Sequence, residues 1–145
     1  MFTGQYHHTI DDKNRLAIPA ALRDSIDVTS EGKGFILTQG LGGCLFMFTK
    51  TPWQEIEAKI KHLPLANENA RNFQRLFFST MQEIPECDPQ GRILVSQKLK
   101  DFAQIKKNVT IVGVNNRIEI WDEKRWETFI QEQGKSFETI AEGLF

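Results

Sequence analysis

The sequence predicts an α+β fold in which duplicated β-hairpin/short-helix units close into one intertwined, barrel-like core with peripheral helices. Three observations predict it. At 145 residues the chain is short enough to share a single core. Two blocks of it repeat. Residues 10–24 lie over residues 87–101, with Asp11 on Asp88, Arg15 on Arg92, Ile18 on Val95 and Leu22 on Leu99, 77 positions apart. Residues 40–48 lie over residues 113–121, with Trp53 over Trp126, 73 positions apart. Finally, one unit of two hairpins and a short helix is too small to bury a core alone, so the two copies must build one together. The expected core is Leu16, Ile18, Ile36, Leu45, Met47, Ile93, Val95, Ile111, Ile118 and Ile120.

Each copy reads in the same order. A strand comes first, over residues 6–10 or 82–87. A tight turn follows, over 11–14 or 88–91, where Gly91 supplies the positive φ and Asn14 tolerates it. A second strand covers 15–18 or 92–95. A short helix then starts near Pro19, or is capped by Ser96. The first copy carries four extra residues here, around Gly32-Lys33-Gly34, which reads as a longer loop. A hairpin comes next, residues 35–38 with 44–48, or 109–112 with 117–121 around an Asn115-Asn116 turn. A helix closes each copy: Thr51, Pro52 and Gln54 read as a capping box, and Asp122 as an N-cap. Between the copies, Ala70, Phe73, Leu76, Phe77 and Met81 fall at helical spacing. Phe73, Phe77 and Phe78 belong against a sheet or a neighbouring subunit. The organisation is therefore residues 5–52, unit 1; 53–80, connecting helices; 81–124, unit 2; and 125–145, a C-terminal helix and tail.

Composition limits the function. Forty per cent hydrophobic and 26 % charged residues suit a soluble globular protein. No stretch approaches the roughly 20 apolar residues of a membrane span. The first residues lack the basic and apolar regions of a signal peptide, which argues against secretion by that route. Lys plus Arg is 18 and Asp plus Glu is 19, a net charge of −1. That removes bulk basicity as an argument for nucleic acid, but a local basic cluster remains open. Cys44 and Cys87 are not spaced as a C-x-x-C pair and are expected as free thiols. With His7, His8 and His62 they assemble no tetrahedral zinc set.

The chemistry-bearing pattern is D-x-x-x-R, at Asp11/Arg15 and again at Asp88/Arg92. An aspartate that opens a tight turn accepts the backbone N–H groups inside it. The arginine leaving the turn has two uses. It can pair with that carboxylate as a purely structural salt bridge, or it can project outward. In the outward case Lys13, Arg15 and Arg92 form a phosphate- and base-reading surface, to which Asn14 and Gln90 add amide hydrogen bonds. An aspartic dyad of Asp11 and Asp88 is disfavoured, because each is followed by a neutralising arginine and no D-[ST]-G turn occurs. There is also no G-x-S-x-G, no P-loop and no dinucleotide fingerprint. The expectation is a non-enzyme with no catalytic residue, no metal, no cofactor and no small-molecule substrate.

These residues resemble the MraZ family. The resemblance rests on Met1-Phe2-x-Gly4, on Asp11-x-Lys13-x-Arg15-Leu16-x-Ile18-Pro19 and on Gly43-Cys44-Leu45. It continues through residues 70–79, Asp88-x-x-Gly91-Arg92-Ile93-Leu94 and residues 112–122, and so runs from Met1 to about Ile130. It implies two tandem SpoVT–AbrB-type units in a swapped-hairpin (AbrB-like) barrel, and a ring-shaped homo-oligomer. It implies a cytoplasmic, nucleoid-associated DNA-binding regulator of the division and cell-wall gene cluster, a repressor acting on promoter repeats in double-stranded DNA upstream of its own gene. The DNA-binding positions carried over are Lys13, Asn14 and Arg15, then Gln90 and Arg92, with Asp11, Asp88 and Gly91 shaping the turns. Asn14 stands where the family usually has Gly, and Ser96 where the repeat often has Pro. With two cationic residues in its turn against one, copy one is expected to dominate contact. The alternative is an antitoxin-like protein-interaction module on the same fold.

Overall fold

The computed structural model describes residues 1–145. The first copy supplies strands β1 (Gln5–Thr9) and β2 (Arg15–Ala17), helices α1 (Ala20–Arg23) and α2 (Val28–Glu31), the hairpin β3 (Phe35–Gln39) with β4 (Leu45–Phe48), and helix α3 (Lys50–Lys61). Helix α4 (Glu68–Thr80) connects it to the second copy. There β5 (Gln82–Ile84), β6 (Arg92–Leu94), α5 (Gln97–Phe102), β7 (Asn108–Gly113), β8 (Ile118–Asp122) and α6 (Glu123–Gln133) repeat the order. A 3-10 turn (Gly134–Ser136) and helix α7 (Phe137–Ala141) follow. The fold is α+β, with antiparallel strands, helices and two repeated units. No helix is long and apolar enough to cross a membrane.

The copies exchange strand partners. Six strands lie in the order β1-β7-β8-β4-β3-β5, so the first strand of each copy pairs with the hairpin of the other. At the centre β4 pairs β8 with Leu45 opposite Ile120, Phe46 opposite Glu119 and Met47 opposite Ile118. β2 pairs β6 as a separate two-stranded ribbon, with Leu16 opposite Ile93. Phe46 and Glu119 are equivalent positions of the repeat, and so are Leu16 and Ile93. A pseudo-two-fold axis therefore passes between both pairs.

The expected closed barrel is not formed: the six-stranded sheet is open, with β1 and β5 at its edges. β2 meets the β1 end of the sheet through one isolated bridge, Ile10 to Leu16, and a hydrogen bond between His8 Nδ1 and the Ala17 carbonyl at 2.7 Å. β5 stops at Ile84 rather than running to residue 87, because Pro85 has no N–H to continue the ladder.

Nineteen buried residues form the main core between ribbon and sheet. They include Leu16, Ile18, Leu45, Met47, Ile93, Val95, Ile111, Ile118 and Ile120. Ile36 is the exception among the expected core residues. In β3 it is Phe35 and Leu37 that face this core, while Ile36 packs against a second cluster of Phe48, Trp53, Ile60 and Phe77. A strand covered on both faces loses its apolar/polar alternation, so three successive apolar residues do not reveal which face is which. Phe77 of α4 stacks on Trp53 at 6.0 Å, anchoring that helix, whereas Phe73 and Phe78 stay partly exposed.

Two local details differ from expectation. The extra segment of copy one is not all loop: Asp27 caps α2 by accepting the Thr29 N–H, and Gly32 ends it at φ +76°. The capping box at Thr51–Gln54 does not form. Instead the carboxylate of Glu31, at the end of α2, accepts the Thr51 N–H (3.1 Å), the Thr51 hydroxyl and the Thr49 hydroxyl (3.1 Å). Asp122 caps α6 as expected, accepting the Lys124 N–H at 3.2 Å.

Candidate nucleic-acid interface

The two D-x-x-x-R turns are near replicas. In the first, Oδ1 of Asp11 accepts the N–H groups of Lys13 and Arg15 (both 2.9 Å), and Oδ2 accepts Nε–H of Arg15 (2.7 Å). In the second, Oδ1 of Asp88 accepts the N–H groups of Gln90 (2.9 Å) and Arg92 (2.8 Å), and Oδ2 accepts Nε–H of Arg92 (2.7 Å). Each turn is closed by an N–H donated back to the aspartate carbonyl, from Asn14 (3.0 Å) or Gly91 (2.8 Å). Those two residues sit in the left-handed region at φ +61° and +77°. The backbone N–H of the arginine, then its side chain, holds each aspartate below the usual carboxylate range. Both stay ionised near neutrality, which is not how a proton-sharing dyad behaves.

The structural-pair reading of the arginine is met in both turns. The aspartate consumes Nε, and neither Nη of Arg15 or Arg92 has a partner within the chain. Guanidinium is a rigid planar fork, so fixing Nε fixes the direction of both terminal NH2 groups. The ribbon places both arginines on one face. Arg15 lies opposite Leu94 and Ala17 opposite Arg92. Side chains alternate along a strand, so these four share the outer face while Leu16 and Ile93 are buried on the inner one. Arg15 and Arg92 are then diagonal neighbours, with Cα atoms about 7–8 Å apart. Lys13 and Gln90 are exposed at the turn tips.

Asn14 also joins the two copies. Its amide donates to Oε1 of Gln97 (3.1 Å) and its Oδ1 accepts from Nζ of Lys100 (3.0 Å), so both ends are occupied by α5 of the other copy. At the second turn the equivalent cation is Arg23 of α1. Its Nε–H donates to the Ile18 carbonyl (2.9 Å), and its guanidinium lies over Gly91, where a Cβ would fall 2.6 Å from Cζ. Arg23 and Lys100 stand 77 positions apart and are equivalent in the repeat, so each turn carries a cation lent by the opposite copy. Sequence reasoning missed both, although the repeat pairs them; what it lacked was the strand exchange that brings them to the turns.

No three His, Cys, Asp or Glu side chains converge as metal ligands would. Burial pushes the thiol of Cys44 up to about 12, and burial raises Cys87 as well, so neither presents a thiolate near neutral pH. The two cysteines are not joined.

Fold and turns together define a duplicated α+β protein whose copies interlock around paired, aspartate-braced arginine turns. Consistent with that, the family model described as "MraZ protein, putative antitoxin-like" matches residues 1–76 and again 78–145. The chain belongs to the MraZ family.

Proposed function

We propose that this chain is a sequence-specific, DNA-binding transcriptional regulator. In this reading it acts as a repressor of the division and cell-wall gene cluster, on direct repeats upstream of its own gene, as a nucleoid-associated ring of identical subunits. The observation that carries the reading is the placement of Arg15 and Arg92, braced through Nε and side by side on the outer face of a two-stranded ribbon. A major groove admits such a ribbon, and a forked guanidinium suits both phosphate and the O6/N7 edge of guanine. Lys13 and Gln90 flank the pair at the turn tips, while Lys100 and Arg23 add positive potential behind them. The exchanged strands favour treating each half as an AbrB-like swapped-hairpin unit.

One ribbon neutralises few phosphates, so a single chain binds weakly, with a log–log salt slope of about 0.9 per phosphate neutralised. A ring presenting several ribbons to several repeats raises the affinity by effective concentration. Occupied promoter DNA then excludes transcription. The test is a mobility shift on DNA from upstream of the gene, with footprinting to define the repeat. Arg15→Ala should abolish the shift while circular dichroism stays native; binding unchanged in that variant removes the turn from the interface.

A second reading, an antitoxin-like interaction module, is favoured by the family description. Such a module needs a partner-binding segment, and residues 137–145 expose Phe137, Ile140 and Leu144. A stoichiometric protein partner captured by the full chain, and absent when Phe137 and Ile140 are changed to Asp, would establish it.

A further inference from the structure

The outer face of the β2/β6 ribbon carries one large side chain that neither the fold nor the arginine turns use. Four residues share that face, Arg15 opposite Leu94 and Ala17 opposite Arg92. Residues 77 positions apart are equivalent, so the arginines match across the pseudo-two-fold axis while the apolar pair does not. Ala17 ends at its β-carbon and is half-buried; Leu94 carries an isobutyl group and is 58 % exposed. Directly opposite residues of an antiparallel pair have Cβ atoms about 4.5–5.5 Å apart. Leu94 is therefore flanked by both cations, by Arg15 across the ribbon and by Arg92 two residues back along β6.

The backbone at Leu94 is held from the side. Gln82 of β5 brackets it: Nε2 of Gln82 donates to the Leu94 carbonyl (2.6 Å), and its Oε1 accepts the Ser96 N–H (3.0 Å). The neighbours Ile93 and Val95 are buried in the main core, which fixes Leu94 on the opposite face. An apolar protein surface laid over Leu94 would also strip water from two guanidinium groups, and burying unpaired charge is costly. The floor of a major groove suits all three side chains. Phosphates and the O6/N7 edge of guanine accept from the arginines, and the C5-methyl of thymine is the apolar group presented beside them.

We infer that Leu94 is a specificity-determining residue, which packs on a thymine methyl when the ribbon enters the groove. The inference rests on the DNA reading and deepens it. Phosphate contacts position a protein without reading sequence, whereas an apolar contact to the methyl selects thymine at one base pair beside those the arginines reach. Ala17, at the equivalent position, is too short to make the same contact.

The test uses the full chain and two duplexes of the region upstream of its gene, one made with thymidine and one with deoxyuridine throughout. They pair identically and differ only in the C5-methyl. The unaltered chain should bind the uracil duplex about four-fold more weakly for each Leu94 engaged, the worth of one buried methyl group. Leu94→Ala keeps the backbone bonds to Gln82 and should bind both duplexes equally. Leu94→Met, which keeps the apolar reach, should retain the preference for thymine. The salt slope should be the same for all three chains, because no phosphate contact changes. A preference for thymine that is as large in Leu94→Ala as in the unaltered chain overturns the inference. An unaltered chain that binds both duplexes equally overturns it too, and leaves the DNA reading standing. An unaltered chain that binds neither overturns both.

Discussion

Lys100 reaches from the second copy to the first and donates its Nζ proton to Oδ1 of Asn14, 3.0 Å away. The bond joins positions 86 apart at a turn that the matching glycine closes alone. Asn14→Gly should therefore change stability by less than about 1 kcal/mol, since relief of the left-handed backbone offsets the removal of two partly exposed hydrogen bonds. Gly91→Ala has no such compensation. It places a Cβ on the Arg23 guanidinium at φ +77° and should cost about 1–2 kcal/mol. Urea melts of the two variants check both signs.

Arg15→Lys should bind DNA almost as poorly as Arg15→Ala. Arginine satisfies Asp11 through Nε and keeps two NH2 groups for the ligand. A lysine has one ammonium, which Asp11 would claim. The slope of log affinity against log salt should fall by about 1 for each phosphate the variant no longer neutralises. Titrations at three or more salt concentrations measure it.

Acid stability follows from three carboxylates. The arginine N–H groups lower Asp11 and Asp88, and the Thr51 hydroxyl lowers Glu31. Groups with depressed folded values stabilise fully above their unfolded pKa, about 4, and lose that contribution as pH falls through the lower folded value. Thermal midpoints should be insensitive to these groups from pH 7 to 5 and drop below pH 4. The double variant Asp11→Asn, Asp88→Asn should flatten that acid limb.

Thr38 is fully buried in β3 with no partner for its hydroxyl. Valine has the same branched shape without the polar atom, so Thr38→Val should stabilise by about 1 kcal/mol. Differential scanning calorimetry would show a raised midpoint; a lowered one would mean that the hydroxyl is satisfied in solution.

Glu31→Ala removes the cap from α3 and should cost about 1 kcal/mol, the usual value of an N-cap. Glu31→Gln should lose less, because an amide oxygen still accepts from the Thr51 N–H. Urea midpoints of the two variants rank them.

What is readable in the chain is local. The Asp–Arg spacing shows the turns and their left-handed residues, because each depends on neighbours within five positions, and its recurrence 77 positions on shows the duplication. The α4 helix and the α6 cap are legible for the same reason. The rest depends on contacts across the repeat. Whether Ile36 or Leu37 faces the core is decided by helices on the far side of β3. The cap of α3 comes from Glu31, some 20 positions upstream of Thr51. Arg23 and Lys100 join the turns only because β2 and β6 pair, and the same pairing brings Gln97 and Lys100 onto the Asn14 side chain.

The exchanged strand order also sets when this molecule can fold. β1 leaves the ribosome first, yet its partner β7 is translated about a hundred residues later, a wait of roughly 5–20 s at ordinary elongation rates. During that interval the nascent first half has an unpaired strand and half of a hydrophobic core. A half-length chain released early would find its missing partner only in another half-length chain, so carrying both units on one chain turns an encounter between molecules into a search within one.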